Sequence, residues 1–287
     1  MFIILKMRKV FCLGCLVLAL SLAGKGWYWA KDGFHFNRIG PAFSSNQGKI
    51  SALPSEIEPL LSQPYRYLGK GRQFYVFSSQ DGKYVLKFPR MNQYQVPAWM
   101  RAFPFLEKYR EEIARKKKAR LDFLLESCRI AFEEIQDLTG ILIFHFDQTK
   151  GSHFTQIFDS LGRSYSINLD RVPFVLQERQ RSMATDLEQA RQNGDHRETK
   201  KILESFLDLI AIRTQKGIFN KDHRQFVNYG YDGKKAFEID IGSFYRVPGE
   251  NSTKAAFRDT IDPIIELVQK TDPELKPWFQ AKAKEFY

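Results

Sequence analysis

Three short apolar runs between residues 65 and 88 constrain the fold more than any other feature of this sequence. Tyr65–Gly69, Gln73–Ser78 and Lys83–Phe88 are rich in Tyr, Phe, Val and Leu, the composition typical of strands. Asp81-Gly82 lies between the last two runs and is a strong signal for a tight hairpin turn. The pattern therefore predicts three successive antiparallel strands.

The rest of the chain predicts one long helix, further strands and a helical C-terminal part. Within residues 103–136 the apolar positions recur at helical spacing: Leu121, Leu124, Leu125, Cys128, Phe132 and Ile135. Later strands are expected at Ile141–Phe146, Ser164–Leu169 and Pro173–Gln177, helices at about 182–193, 195–216 and 254–286, and a tight hairpin at 226–240. A five-stranded sheet with one long helix, joined to a helical part, accounts for this order, so we predict an α+β fold.

The balance of charge favours anionic partners. The 287 residues carry a formal net charge of +11. A basic surface attracts nucleotides, phospholipids, lipopolysaccharide and nucleic acids alike. Zinc-finger spacing and RNA-binding aromatic motifs are missing from the sequence, so nucleic acid is not an expected partner.

The N-terminal segment is typical of a signal peptide or a membrane anchor. Three cations at positions 6, 8 and 9 precede the apolar run Val10–Ala23, whose 14 residues suit the hydrophobic region of a signal peptide. Trp27-Tyr28-Trp29 follow, and such aromatics favour a membrane interface. We therefore predict an exported or membrane-anchored protein, rather than a cytoplasmic one, with membrane contact through residues 1–29. An ordinary buried helix is the alternative.

Three regions are predicted along the chain. Residues 1–23 form the signal peptide or anchor. Residues 24–62, rich in Gly, Ser and Asn, form a linker with a short helix near Ser55–Leu61, just after Pro54. Residues 63–287 form the main domain.

A glycine-containing turn and a lysine on the next strand suggest a phosphate site. Gly69 and Gly71, followed by Phe74 and Val76, give the spacing G-x-G-x-x-F-x-V on a strand–turn–strand. Glycines there let backbone N–H groups approach an anion. Lys87, flanked by apolar residues on the following strand, is placed to meet the α and β phosphates of a nucleotide. A plain β-turn and a surface lysine are the ordinary alternatives.

A second group of polar residues lies in the C-terminal half. Asp222 falls in a loop after a helix, Asn228 comes six residues later, and Asp240 lies twelve residues beyond Asn228 at the end of the returning hairpin strand. The hairpin is expected to bring Asn228 and Asp240 side by side. Because Mg²⁺ favours few carboxylates plus phosphate oxygens, these two residues predict a magnesium site. Asp222 would lie near it, free to orient or deprotonate a hydroxyl.

In this order and context, residues 65–245 resemble the protein-kinase-like superfamily. The matching positions are Gly69, Gly71 and Val76 for the glycine-rich loop, Lys87 for the strand-three lysine, Asp222 and Asn228 for the catalytic loop, and Asp240-Ile241-Gly242 for the Asp-Phe-Gly motif. The resemblance implies a two-lobed fold: an N-lobe at about 63–179, with a five-stranded antiparallel sheet and one long helix, and a reduced helical C-lobe at about 180–287. It also implies ATP and Mg²⁺ as cofactors.

The resemblance further implies a glutamate on the long helix that pairs with Lys87. Glu126 is our choice, because it lies 15 residues before Ile141 and beside positions expected to face the core. The alternatives are Glu111, Glu112, Glu133 and Glu134.

The chain departs from the family pattern in ways that narrow the expected activity. Phe74 stands at the third loop glycine, the His-Arg-Asp triplet reads Asn220-Lys221-Asp222, and the Ala-Pro-Glu motif is missing after Asp240. These departures suggest a compact phosphotransferase whose acceptor hydroxyl lies on a small molecule, a glycan, a lipid or a protein. A kinase-like binding or scaffold protein without turnover is the alternative, and a basic membrane-associated protein with accidental motifs is a third.

Overall fold

The computed structural model describes residues 18–22, 24–41, 53–222, 226–247 and 249–286. The signal or anchor predicted for residues 1–23 therefore lies largely outside the described residues. Within those ranges, no helix is long and apolar enough to cross a membrane.

The described residues form short strands and helices of very unequal length. The strands are β1 (Tyr65–Lys70), β2 (Phe74–Ser79), β3 (Tyr84–Pro89), β4 (Ile141–His145), β5 (Phe154–Phe158), β6 (Ser164–Asn168), β7 (Phe174–Glu178), β8 (Arg181–Ser182), β9 (Ile218–Asn220), β10 (Tyr229–Tyr231), β11 (Ala236–Glu238) and β12 (Phe244–Arg246). The α-helices are α1 (Glu58–Leu61), α2 (Glu107–Glu133), α3 (Gln136–Thr139), α4 (Met183–Gln192), α5 (His196–Gln215), α6 (Glu250–Thr271) and α7 (Lys276–Lys284). The predicted α+β class is confirmed.

The largest sheet has seven strands, in the order β4-β7-β3-β2-β1-β5-β6. β1 pairs with β2 in antiparallel register, with Tyr65 opposite Ser79, but with β5 in parallel register. The prediction of a five-stranded antiparallel sheet is therefore wrong in strand number and in direction. The additional pair is the β5–β6 hairpin, in which Phe154 lies opposite Asn168. Its residues alternate between exposed and buried along β5, as expected for a strand with one covered face.

Two compact units divide the chain. The first contains the chain up to Gln80, Leu86–Asn92 and Phe146–Phe174, and the second contains Asp81–Val85, Gln93–His145 and Val175–Tyr287. The region boundaries expected from the sequence stay predictions.

In the first unit, residues 24–41 pack on the sheet strands. The Phe34 ring is buried and meets the rings of Tyr75 and Phe77 edge to face, each with a centroid distance of 5.2 Å. Lys31 Nζ lies 3.0 Å from Asp159 Oδ2 and donates to Tyr165 Oη at 2.7 Å. Because the Lys31 and Asp159 side chains are almost fully buried, this ion pair joins the segment to the β5–β6 hairpin.

The core of the second unit is built around α5. The helix begins at its N-cap Asp195, whose carboxylate accepts a hydrogen bond from the Glu198 amide at 2.9 Å. It ends before Gly217, whose φ of 70° only glycine adopts freely. One face of α5 is buried and includes Phe206, which meets the Tyr229 ring edge to face at 4.9 Å. Helix α5 thus supports the β10–β11 hairpin.

Candidate functional site

The second unit brings Asp222, Asn228 and Asp240 together. The side-chain amide of Asn228 donates to the main-chain carbonyl of Asp222 at 2.8 Å. The Asn228 carbonyl in turn accepts from the amides of Ile239, at 2.8 Å, and Asp240, at 3.3 Å. In the β10–β11 hairpin just beyond, Tyr229 lies opposite Glu238, which confirms the predicted hairpin.

The remaining donor atoms of this cluster suit a hard cation. Because Asn228 Nδ2 is bound to the Asp222 carbonyl, Asn228 Oδ1 is the atom left for a ligand. Asp240 Oδ1 accepts from the Gly242 amide at 3.2 Å, which orients the carboxylate. All three residues are half-buried, so a ligand can reach them. One amide oxygen and one carboxylate fit Mg²⁺ that takes its other ligands from phosphate and water. Within the described ranges, no group of three or more His, Cys, Asp or Glu side chains could hold a metal ion.

A buried polar network holds the backbone at Asp222. Asn220 Oδ1 accepts from the Asp222 amide at 2.8 Å, while Asn220 Nδ2 donates to Glu238 Oε2 at 3.1 Å. Glu238 also forms an ion pair with Arg213 of α5, and both side chains are fully buried. Residue patterns in the sequence did not indicate Arg213 and Glu238. In the sequence, Asn220 stands out only as a departure from the family triplet. Its position two residues before Asp222 was the one feature that could have indicated its role.

The charge state of this network follows from its burial. Burial lowers the pKa of Arg213, but the Glu238 charge together with Tyr229 raises it above its ordinary value. The guanidinium therefore stays charged. Burial, followed by the Glu238 charge, raises the pKa of the Tyr229 phenol well above its ordinary value, so its hydroxyl stays protonated.

Ser127 ties the long helix α2 to the segment after Asp240. Its hydroxyl donates to the Ile241 carbonyl at 2.6 Å and accepts from the Phe244 amide at 2.6 Å. Phe244 lies opposite Asn220 in the β9–β12 pair. A shift of α2 would therefore also displace the Asp240 loop and Asn220.

Glu126, the residue before Ser127, lies at the surface. Its carboxylate pairs with Arg129, one turn along α2, and both side chains are about half exposed. The pairing of Glu126 with Lys87 stays a prediction. Two of the alternative glutamates also form ion pairs with residues of the second unit: Glu112 pairs with Lys116, and Glu134 pairs with Arg246.

The glycine-containing turn lies in the first unit, between β1 and β2. Gly69 is opposite Val76, next to an irregularity in the β1 register, and the Gly71 amide donates to the Phe74 carbonyl at 2.9 Å. Neither glycine has a positive φ, so the turn does not itself require them. A Cβ added at Gly69 would meet no atom of the described residues within 4 Å. This leaves open space beside the backbone, as close approach of a ligand would need.

Arg90 holds the tip of this turn, a contact that the sequence analysis missed. Its Nη1 donates to the carbonyls of Gly71, at 3.0 Å, and Arg72, at 3.2 Å. The Arg90 amide donates to the Gln73 carbonyl at 2.8 Å, and its guanidinium lies 5.4 Å from the Tyr75 ring centre. The end of β3 is thereby bound to the turn between β1 and β2.

Lys87 is buried in β3, with 5% of its surface exposed, between the fully buried Leu86 and Phe88. The surface lysine that was the ordinary alternative for this position is therefore wrong, because Lys87 is buried.

Comparison with known proteins yields structural similarity at low identity. No family model and no curated protein matches the chain. Among solved structures, the chain is similar to the bifunctional kinase-methyltransferase WbdD, with 17% identity over 74% of this chain and a TM-score of 0.37. A second WbdD crystal structure gives a TM-score of 0.39, and a co-crystal structure of WbdD with the kinase inhibitor LY294002 gives 0.38, both at 17% identity. The chain spans 43–44% of the length of those proteins. The function proposed next rests on the residues and geometry of this chain.

Proposed function

We propose that this chain is a kinase-like phosphotransferase that moves the γ-phosphoryl group of ATP to a hydroxyl of a small molecule, glycan, lipid or protein. The observation that supports the proposal most directly is the meeting of Asp222, Asn228 and Asp240 at one hairpin, with Asn228 bound to the backbone of the other two.

Each residue then has a defined task. Asn228 Oδ1 and the Asp240 carboxylate would hold Mg²⁺, which neutralises phosphate charge when bound. Asp222, whose backbone is fixed by Asn220 and Asn228, would orient the acceptor hydroxyl and accept its proton.

The turn after β1 and strand β3 would supply the phosphate contacts. The backbone at Gly69 and Gly71 would approach the nucleotide, Val76 would contact it beside the turn, and Lys87 would meet its α and β phosphates.

A second candidate is a kinase-like binding protein without turnover. The observations that favour it are the altered catalytic-loop triplet, which reads Asn220-Lys221-Asp222, and Phe74 at the position of the third loop glycine.

We also propose that the chain is exported or held at a membrane by its N-terminal segment. Leu18, Leu20 and Leu22 are largely exposed, and Trp29 is 80% exposed. Apolar and aromatic side chains on one short segment suit a membrane interface.

A thermal-shift measurement combined with an ATP-turnover assay on the full chain tests the function. We expect Mg²⁺-dependent stabilisation by ATP that Asp240→Asn abolishes, and turnover that Asp222→Ala abolishes while stabilisation remains. Asp232→Asn is the matched control, because Asp232 lies in the exposed turn of the same hairpin and accepts from the Lys234 and Lys235 amides.

Two other results would contradict a phosphotransferase. Stabilisation without turnover, unchanged by Asp222→Ala, would favour the binding protein. A chain that ATP and Mg²⁺ do not stabilise would overturn both candidates.

A further inference from the structure

An exposed aromatic surface lies just before α2 and on its first turn, in the second unit. Trp99 is 61% exposed, Phe103 43%, Phe105 81% and Tyr109 58%. The Trp99 and Phe103 ring centres are 6.3 Å apart, and those of Phe103 and Phe105 are 5.7 Å apart. Contiguous exposed rings of this kind mark interaction sites, because isolated exposed apolar residues are ordinary but patches are not.

The segment that carries these rings is anchored to the second unit. Met100, within the 3-10 turn Ala98–Ala102, is almost fully buried. Lys117 Nζ, on the first half of α2, donates to the Gln93 carbonyl at 2.7 Å, so it also holds the segment. The rings therefore point outward from a fixed base.

The same stretch of chain is strongly basic. Residues 101–120 contain eight Lys or Arg and three Glu, a formal net charge of +5. Helical spacing places Tyr109, Lys116 and Arg120 on one face of α2, next to the exposed rings. Lys116 forms an ion pair with Glu112, whereas Arg120 has no ion pair among the described residues.

We propose that this aromatic–basic surface, Trp99, Phe103, Phe105 and Tyr109 together with the cations of the first half of α2, docks on a lipid bilayer that carries anionic headgroups. Trp and Tyr favour the level of the headgroups, and Phe favours the acyl boundary below them. The clustered cations would meet the negative surface potential.

The exposure of these rings favours a bilayer over a protein partner. The Phe105 and Trp99 side chains are largely exposed, and Pro104 lies between Phe103 and Phe105 in the sequence, at the start of the short turn Pro104–Leu106. The proposal rests on residues of the second unit and is independent of the proposed phosphotransferase activity.

The test must separate this surface from the N-terminal segment, which would itself bind membranes. Replacing Trp27, Trp29 and Trp278 with Phe leaves Trp99 as the single tryptophan of the full chain. With vesicles of phosphatidylcholine and phosphatidylglycerol, we expect the Trp99 emission to shift to the blue and bromine-labelled lipids to quench it. Pure phosphatidylcholine or high salt should weaken both effects.

Three further variants complete the experiment. A chain that keeps only Trp278, which is half-buried on α7, should show neither shift nor quenching. Phe105→Ser should reduce the quenching of Trp99, whereas Phe154→Ser, the same change at an exposed ring of the first unit, should not. A chain that binds the vesicles while its Trp99 emission stays unchanged would overturn the proposal. An equal response with and without phosphatidylglycerol would overturn its electrostatic part.

Discussion

The Asn228 side-chain amide donates to the main-chain carbonyl of Asp222, six positions earlier in the chain, at 2.8 Å. This bond fixes which atom of Asn228 is free for a cation and ties the loop that carries Asp222 to the hairpin that carries Asp240. The interval of six positions between Asp222 and Asn228 therefore still brings the two residues into contact.

Asn228→Asp isolates this bond, because a carboxylate keeps an oxygen for a cation but cannot donate to a carbonyl. We expect Mg²⁺-dependent stabilisation by ATP to persist and turnover to fall by about 100-fold, since small displacements of reacting groups cost that much. Binding and single-turnover measurements separate the two effects. Equal losses of binding and turnover would show that Asn228 acts only as a ligand.

Glu238→Gln tests the network beneath the site. The substitution leaves Arg213 charged and unpaired in the core, so we expect a loss of about 3–5 kcal/mol in the free energy of unfolding. Urea denaturation measures it. Glu188→Gln removes an exposed pair with Arg191 and should cost at most about 1 kcal/mol. If the two variants lose the same stability, the buried pair does not support the fold as argued.

Ser127→Ala tests the link between α2 and the Asp240 loop. Two buried main-chain groups, the Ile241 carbonyl and the Phe244 amide, lose their side-chain partner, which should cost about 1–3 kcal/mol. We also expect weaker Mg²⁺ dependence of ATP binding, because the Asp240 loop loses its anchor. Thr253→Ala, at an exposed hydroxyl bound to the Gly249 carbonyl, is the control. An unchanged Mg²⁺ titration in Ser127→Ala would contradict the link.

Arg90→Met tests whether the hydrogen bonds from Arg90 to the turn that contains Gly69 and Gly71 support nucleotide binding. The aliphatic stem is kept while the bonds to the Gly71 and Arg72 carbonyls are lost. We expect the dissociation constant for ATP to rise about tenfold, as for the loss of one well-placed charge-assisted bond. Isothermal titration measures it. Arg66→Met, at an exposed arginine over the Phe158 ring, should leave the affinity unchanged.

Local signals made part of the fold predictable. The turns at Asp81-Gly82 and Asp232-Gly233 lie within a few residues of the strands they join, so the hairpins could be placed from the sequence. Strand β5 was missed because its parallel pairing with β1 joins Tyr65 to Ile157, far apart in sequence. The burial of Glu238 likewise depends on Arg213, 25 residues earlier on another element. Such pairings follow from tertiary packing, which residue patterns do not encode locally.

The Lys31–Asp159 pair of the first unit should make stability depend on acid pH. Burial raises the pKa of Asp159, but hydrogen bonds from the Arg163 amide, Lys31 and Tyr165 lower it more, so it lies below the ordinary 3.8. A carboxyl group whose pKa is lowered on folding stabilises the fold at pH values above its pKa in the unfolded chain. This stabilisation is lost as the pH falls through its pKa in the folded chain.

Asp159→Asn should therefore destabilise the chain by about 3 kcal/mol near neutral pH, where both partners of the buried pair are charged. The difference between parent and variant should shrink as the pH falls below 3.8, because the parent carboxylate is then protonated. Unfolding curves at a series of pH values measure this difference. Asp122→Asn, which breaks an exposed pair with Lys118, should run nearly parallel to the parent. A constant difference between Asp159→Asn and the parent across the acid range would show that the ion pair is not the source of the stability.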